Sequence, residues 1–300
     1  MQKASRIRAF LRLTRIEHSI MLILAVAAAE IISNRSLFHM PLYILALSWL
    51  TPTLISMGSF AINDYYDIEA DRANKFTDRP LVSGVLSPKF AFYSSILLLA
   101  AGSLLSYFIN SYAFAIALAF AILAYLYSYK LKDMPLLGNV YIAFSMAIPF
   151  IYGAYVYGFT SIYSINSNII LIVLAIFLSG LAREIHGMMR DIKGDLHVRK
   201  TSNVVRMIGY RKSAYLALTL YAEAVAVSII MAFLYYPFAY NLIYVVLIAL
   251  TDIMIAYVAL GYIIFGKSAK FFRLSRNLSL LAMGIALISY IIAPMIHIYV

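Results

Sequence analysis

The sequence predicts an all-α polytopic membrane protein with nine transmembrane helices, on three observations. Hydrophobic residues make up 64% of the 300-residue chain and charged residues only 12%, whereas a soluble domain carries about 25% charged residues. The mean hydropathy of +0.87 leaves too little polar surface to cover a water-facing globule. Nine apolar stretches are long enough to approach the roughly 20 residues that cross a hydrocarbon layer. The whole of 1–300 reads as a single transmembrane domain.

The first span, Ile16–Ile32, follows a basic head of Lys3, Arg6, Arg8, Arg12 and Arg15. Glu17 and His18 interrupt its start and no small-residue cleavage site follows, which argues against a removable signal peptide. Leu42–Ile62 is the second span, Phe90–Ile109 the third and Ala113–Tyr129 the fourth, with Asn110 expected to cap or turn between the last two. Met134 through Ala182 holds no charge and is too long for one helix. Glycine, serine and asparagine at 158–168 divide it into Leu136–Tyr157 and Asn168–Ile185. Ser213–Leu234, Leu242–Phe265 and Leu278–Ile298 complete the set, and Pro52, Pro149, Pro237 and Pro294 are expected kinks.

The basic residues sort by side. Of 24, all but Arg35 fall in the N-terminal segment or in the loops after spans two, four, six and eight. The positive-inside rule then puts the N-terminus in the cytoplasm and the C-terminus outside. The net charge of +11 is accordingly topology and attraction to anionic lipid, with no nucleic-acid partner implied. The absence of cysteine excludes disulfides, thiolate metal sites and a cysteine nucleophile.

The acids cluster in two cytoplasmic loops, about 63–89 and 183–212. The first holds Asp64, Asp67, Glu69, Asp71 and Asp78. The second holds Glu184, Asp191 and Asp195. Each follows an outside-to-inside span and four spans separate them, which suggests two four-helix halves plus a ninth helix. Asn63, Asp67 and Asp71 follow an i, i+4, i+8 spacing, expected to line one helical face, and Asp191 and Asp195 repeat the i, i+4 step. Like charges at that spacing repel, and at a helix C-terminus they face the negative end of the dipole, so they call for a cation. Oxygen-only ligands favour a hard ion, Mg²⁺ above all, which takes one or two carboxylates and leaves room for substrate phosphate. Arg72, Lys75 and Arg79 beside the first cluster, and Arg183, Arg190 and Lys193 beside the second, add phosphate-gripping groups. Acid-and-base loops beside spans are often only solvated surface, yet two such clusters at equivalent helix ends argue for a metal-bridged phosphate site. A ligand with a diphosphate head and an apolar tail fits both the loops and the helices.

At these residues the sequence resembles the UbiA superfamily of intramembrane prenyltransferases. Asn63, Asp64, Asp67 and Asp71 meet its N-D-x-x-D-x-x-x-D motif, which continues through Arg72, Asn74, Arg79-Pro80-Leu81 and Gly84. Asp191 and Asp195 meet its D-x-x-x-D motif. The lead-in Arg183-Glu184-Ile185 resembles the archaeal geranylgeranylglyceryl-phosphate transferase branch and some aromatic-acceptor branches, although Met188 stands where many archaeal members carry a further acid. The family's R-P-x-N pattern appears only as Arg15-Ile16-Glu17-His18, with two departures. The segment Tyr125–Lys132 and Gly138-Asn139 are also similar to the family.

The resemblance implies a UbiA-type helix bundle that moves an isoprenoid chain from a polyprenyl diphosphate to a lipophilic acceptor. It implies two Mg²⁺ ions, one on Asn63 and Asp67 and one on Asp191 and Asp195. Asp64, Asp71 and Lys130 join the catalytic set, the two acids through contacts with basic residues. Arg72, Lys75, Arg79, Lys130 and Arg183 would grip the diphosphate. The acceptor stays open between an aromatic quinone precursor and the hydroxyl of geranylgeranylglyceryl phosphate, and the donor is expected to be geranylgeranyl diphosphate. Aromatic lining is expected near an allylic cation, with Tyr65, Tyr66, Tyr125 and Tyr129 close in sequence to the motifs.

Glu30, Glu223 and Asp252 lie within spans, and intramembrane acids mark sites by default. They support an alternative reading, a secondary transporter relaying protons through Glu223 and Asp252. Glu30 is near enough to a span end to snorkel. His186 reads as a loop residue near the second motif, and the five histidines show no ligand spacing. The stretch Arg190–Lys212 is long enough to serve as a lid.

Overall fold

The computed structural model describes residues 2–34, 37, 40–134, 136–156, 166–191, 204–266 and 268–296, apart from the side chains of 2–5 and of Asp191. Among these residues all regular structure is helical and no strand is present. The elements are α1 (Gln2–Leu13), α2 (His18–Asn34), α3 (Leu42–Tyr66), α4 (Ile68–Ala73), α5 (Pro88–Tyr107), α6 (Ser111–Tyr129), a 3-10 turn (Leu131–Asp133) and α7 (Leu137–Val156). Then come α8 (Ser167–Asp191), α9 (Val204–Ile208), α10 (Tyr210–Leu234), α11 (Leu242–Ile264) and α12 (Ala269–Ile292). Among the described residues eight helices, α3, α5 to α8 and α10 to α12, are long and apolar enough to cross a membrane, and Arg6–Leu13 with α2, bent by 48°, brings the number to nine if the pair counts as one span.

The chain forms two compact units. The first comprises residues 1–26 and 40–133, the second 27–39 and 134–300, so α2 contributes to both. In the first unit α3 packs on α5 and α6, and α1 rests on α3. Two glycines set the α3–α5 distance: a Cβ on Gly102 would lie 2.9 Å from Thr51 O, and one on Gly58 would lie 3.0 Å from Ser95 O. Such close backbone approach through small residues is the usual packing device inside a membrane. Ala9 and Leu13 of α1 join Ala61, Ile68, Leu81, Leu86 and Ala91 in one buried cluster.

In the second unit α8 packs on α7 and α10, α10 on α11, and α11 on α12. Its core gathers Ala182, Ile185, Met189, Ala217, Tyr221, Val258, Tyr262 and Phe271. Asn168 Nδ2 donates to Tyr236 O at 2.8 Å, and Asn241 Nδ2 donates to Ala293 O at 2.9 Å, lacing the turns of this unit together.

The starts of several helices follow their local sequence. Ser87 Oγ accepts from Phe90 N at 3.2 Å with Pro88 at the first helical position, and Asn110 Oδ1 accepts from Ala113 N at 2.8 Å. Asn241 caps α11 and Ser268 caps α12 in the same way.

Several expectations are corrected. Residues 2–13, the basic head, form a helix of their own ahead of the first span, because Ala9 and Leu13, four apart, give it a buried edge. Helices α8, α10 and α12 run past the apolar stretches, so Arg190, Arg211, Arg273 and Arg276 sit on helix ends rather than in loops. Pro52 and Pro149 lie inside helices, but Pro237 and Pro294 lie in turns. Glu30 is fully buried instead of snorkelling. His186 is a buried helix residue, its ring stacked 3.6 Å from that of Tyr262. The expected turn at 158–168 and the stretch 192–203, with Asp195, fall mostly or wholly outside the described residues.

Candidate functional site

The first acid motif sits where α3 ends and α4 begins. The backbone turns at Asp67 (φ −92°, ψ 0°), yet Asp67 N still donates to Asn63 O at 3.0 Å and Asp71 N to Asp67 O at 2.8 Å. The motif thus stays nearly helical, with a local break at its central acid. That break divides the side chains into two groups.

Asp67 belongs to the first group. Asn63 Nδ2 donates to its Oδ2 at 2.9 Å, as the i, i+4 spacing requires, and Lys132 Nζ donates to its Oδ1 at 2.7 Å. Lys132 is 7% exposed and Asp67 13% in their side chains, so this is a largely shielded ion pair. Tyr66 lies beside it: its ring centroid is 6.0 Å from Lys132 Nζ. Tyr66 Oη and Tyr125 Oη share a hydrogen bond at 3.1 Å, and the ring of Tyr129 stands 5.7 Å from that of Tyr66. Tyr65 stands edge-on to Tyr66 at 5.1 Å and also meets Phe92 at 5.2 Å.

Asp64 and Asp71 form the second group, and both are buried. Arg15 Nη2 donates to Asp64 Oδ1 at 3.1 Å. Arg79 bridges the two acids, donating to Asp64 Oδ1 at 3.5 Å and to Asp71 Oδ2. Arg15 is held over the Phe60 ring at 4.8 Å, and Arg79 over Phe76 at 5.2 Å. Asp71 therefore joins Asp64 rather than completing one face with Asn63 and Asp67. Burial pushes the Asp71 carboxyl above the usual aspartate range, while the Arg79 guanidinium pulls against that rise.

The other expected phosphate ligands are placed as follows. Arg72 is exposed and donates to Glu69 Oε1 at 2.9 Å. Lys75 is exposed, in a left-handed turn at φ +58°. Lys130 is exposed at the end of α6, two residues from buried Lys132. Arg183 is half-buried on α8, whose last residue is Asp191. The Asp191 side chain and Asp195 lie outside the described residues. Sequence reasoning placed Lys130 in the site and missed Lys132 as a partner of Asp67. Its only signal was a second lysine following the fourth span. The Arg15–Asp64 pair, 49 residues apart, left no local signal.

The first group has the donor types for a hard divalent ion: the Asn63 amide oxygen and the Asp67 carboxylate would hold it once the amide turns and Lys132 leaves its place on Asp67. Among the described residues no three His, Asp or Glu side chains form a ready cage. One carboxylate with one amide suits Mg²⁺, which leaves its remaining positions to water and phosphate.

Of the intramembrane acids, Asp252 accepts from Ser228 Oγ at 2.7 Å and Glu223 is exposed on α10.

Comparison with known proteins gives consistent likenesses. The model of the UbiA prenyltransferase family matches residues 20–294. A digeranylgeranylglyceryl phosphate synthase of Archaeoglobus fulgidus is 37% identical over 284 residues, covering 95% of this chain and 94% of that one. Its counterpart from Methanosarcina mazei is 32% identical over 92% of this chain and 97% of that protein. A solved structure from work on digeranylgeranylglyceryl phosphate synthase in membranes superposes with a TM-score of 0.79 at 27% identity, covering 97% of this chain and 99% of that one. A UbiA homolog from Archaeoglobus fulgidus bound to GPP and Mg²⁺ shares the fold at a TM-score of 0.66 and 20% identity, over 94% of this chain and 99% of that one.

Proposed function

The chain belongs to the UbiA prenyltransferase family, an integral membrane enzyme of all-helical fold, and on that premise we propose that it joins a geranylgeranyl group to geranylgeranylglyceryl phosphate. The donor is geranylgeranyl diphosphate, and the products are an ether-linked lipid and free diphosphate. The observation that carries the reading is the half-buried Asp67, flanked by the Asn63 amide and by the Lys132 ammonium. The names of relatives that match along nearly the whole chain favour the glyceryl-phosphate acceptor over an aromatic one. The transporter alternative gives way to the family assignment.

Each residue has a stated part in this reading. Asn63 and Asp67 would hold one Mg²⁺ and Asp191 and Asp195 a second, and bound ions would supply charge neutralisation for the departing diphosphate. Arg72, Lys75, Lys130, Lys132 and Arg183 supply donors for diphosphate oxygens. Arg79, already shared by Asp64 and Asp71, holds the acid loop in shape, and Arg15 secures Asp64 from the other side.

The allylic C–O bond breaks with its electron pair leaving on diphosphate. The acceptor hydroxyl oxygen forms the new C–O bond and gives up its proton to the departing diphosphate. The clustered rings of Tyr66, Tyr125 and Tyr129 offer π-faces near Asp67 that shield an allylic cation from water. The residues 1–300 act as one transmembrane domain, with its N-terminus and acid loops on the cytoplasmic side and its C-terminus outside.

The test uses purified full-length protein, Mg²⁺ and labelled geranylgeranyl diphosphate, offered geranylgeranylglyceryl phosphate and a hydroxybenzoate in parallel. A phosphate-bearing diether lipid is the expected product, identified by mass. Asp67→Asn, which keeps an oxygen for Lys132, and Asp191→Asn are expected to stop diphosphate release while the purified proteins stay folded. Turnover of the aromatic acceptor alone would overturn the acceptor assignment, and full turnover by both variants would overturn the site.

A further inference from the structure

Asp67 has no free oxygen facing its neighbours. Lys132 Nζ sits 2.7 Å from Oδ1 and Asn63 Nδ2 sits 2.9 Å from Oδ2. The hydrogen-bond network thus turns the Asn63 amide nitrogen toward the acid and its oxygen away. A divalent ion shared by Asn63 and Asp67 needs the opposite arrangement. Lys132 has to withdraw, because an ammonium and a metal ion on one carboxylate repel strongly in a partly dry site. Asn63 has to present its oxygen.

The ion pair resists that change. With 7% and 13% exposure, neither side chain is well solvated, and separating a buried pair strands a desolvated charge. The Tyr66 ring, 6.0 Å from Nζ, is a weak substitute for a carboxylate. Lys132 lies in the 3-10 turn after α6, and Asp67 lies at the α3–α4 break, so the pair also ties two separate segments together.

We propose that Lys132 is a resident counter-ion of Asp67 that competes with the divalent metal, so that the enzyme without substrate holds metal weakly at the first acid motif. The inference rests on the reading of Asn63 and Asp67 as metal ligands. Lys132 acts here as a positioning residue that sets metal occupancy.

The experiment is equilibrium binding of Mn²⁺ to full-length protein, read by electron paramagnetic resonance without substrate. It is done in an Asp191→Asn, Asp195→Asn background, so that the first motif reports alone. Lys132→Met keeps length and removes charge, and it is expected to tighten Mn²⁺ binding about 5- to 150-fold, the range of ordinary site-to-site coupling. Lys132→Arg keeps the charge and is expected to bind as the parent does. Asp67→Asn is expected to abolish the tightened binding. Lys132→Gln replaces Lys132→Met should the latter fail to fold. Unchanged or weaker binding by Lys132→Met, with Asp67→Asn still weakening the parent, overturns the competition and leaves the metal reading standing. Equal tightening by Lys132→Arg also overturns it. Binding that ignores Asp67→Asn in every background overturns the metal reading and the competition together.

Discussion

At the scale of single residues, charge pairing decides what the acid loop tolerates. Arg79 serves two buried carboxylates, whereas Arg15 serves one and Arg12 meets exposed Asp78 at 3.3 Å. Arg79→Ala strands Asp71, leaves Asp64 to Arg15 alone, and is expected to cost about 3–5 kcal/mol. Arg15→Ala leaves Asp64 with Arg79 and costs less, and Arg12→Ala falls within about 0–1 kcal/mol, as exposed pairs do. Thermal unfolding in detergent ranks the three, and equal melting temperatures for the Arg79 and Arg15 variants would contradict the shared-arginine account. These pairings were hidden in the sequence. Spacing announces that Asn63 and Asp67 meet, because four residues make one helical turn. Nothing local announces that Arg15 reaches Asp64 or that Lys132 reaches Asp67, since both depend on how separate helices pack.

At the scale of helices, glycine and serine control approach. Gly102 on α5 faces Thr51 and Ile55 of α3, and a Cβ there would sit 2.7 Å from Ile55 Cγ1. Gly102→Ala is expected to cost about 1–3 kcal/mol through overpacking. Gly84→Ala meets nothing within 4 Å, so its cost comes from its φ of +73° alone. A melting series across the two separates crowding from backbone strain. The serines behave differently: Ser95, Ser103, Ser128 and Ser145 each donate to a carbonyl three or four residues back on their own helix. They are slim spacers rather than bonds between helices.

Helix positions were largely legible, because hydropathy marks any segment that lipid must surround. Helix ends were not. Arg273 and Arg276 look like loop from composition, but the Ser268 cap starts α12 before them, and long basic side chains can reach back to water. Helix α1 was missed because arginines at 6, 8 and 12 dilute its apolar edge.

At the scale of the whole molecule, sidedness is the expectation that the sequence states most directly. Twenty-three of 24 basic residues fall on one side of the nine-span reading. The chain has no cysteine of its own, so single introduced thiols report without background. With an impermeant thiol reagent, Ser83→Cys is expected to label only in inside-out vesicles and Met295→Cys only in right-side-out ones. The reverse pattern would overturn the proposed orientation. What the sequence did not reveal is that α1 is fastened to the acid loop, by Arg12 to Asp78 and, just beyond its end, by Arg15 to Asp64. For anyone preparing the enzyme, trimming the amino end through Arg15 would remove both fasteners and leave Asp64 leaning on one guanidinium. An affinity tag therefore belongs at the carboxyl end.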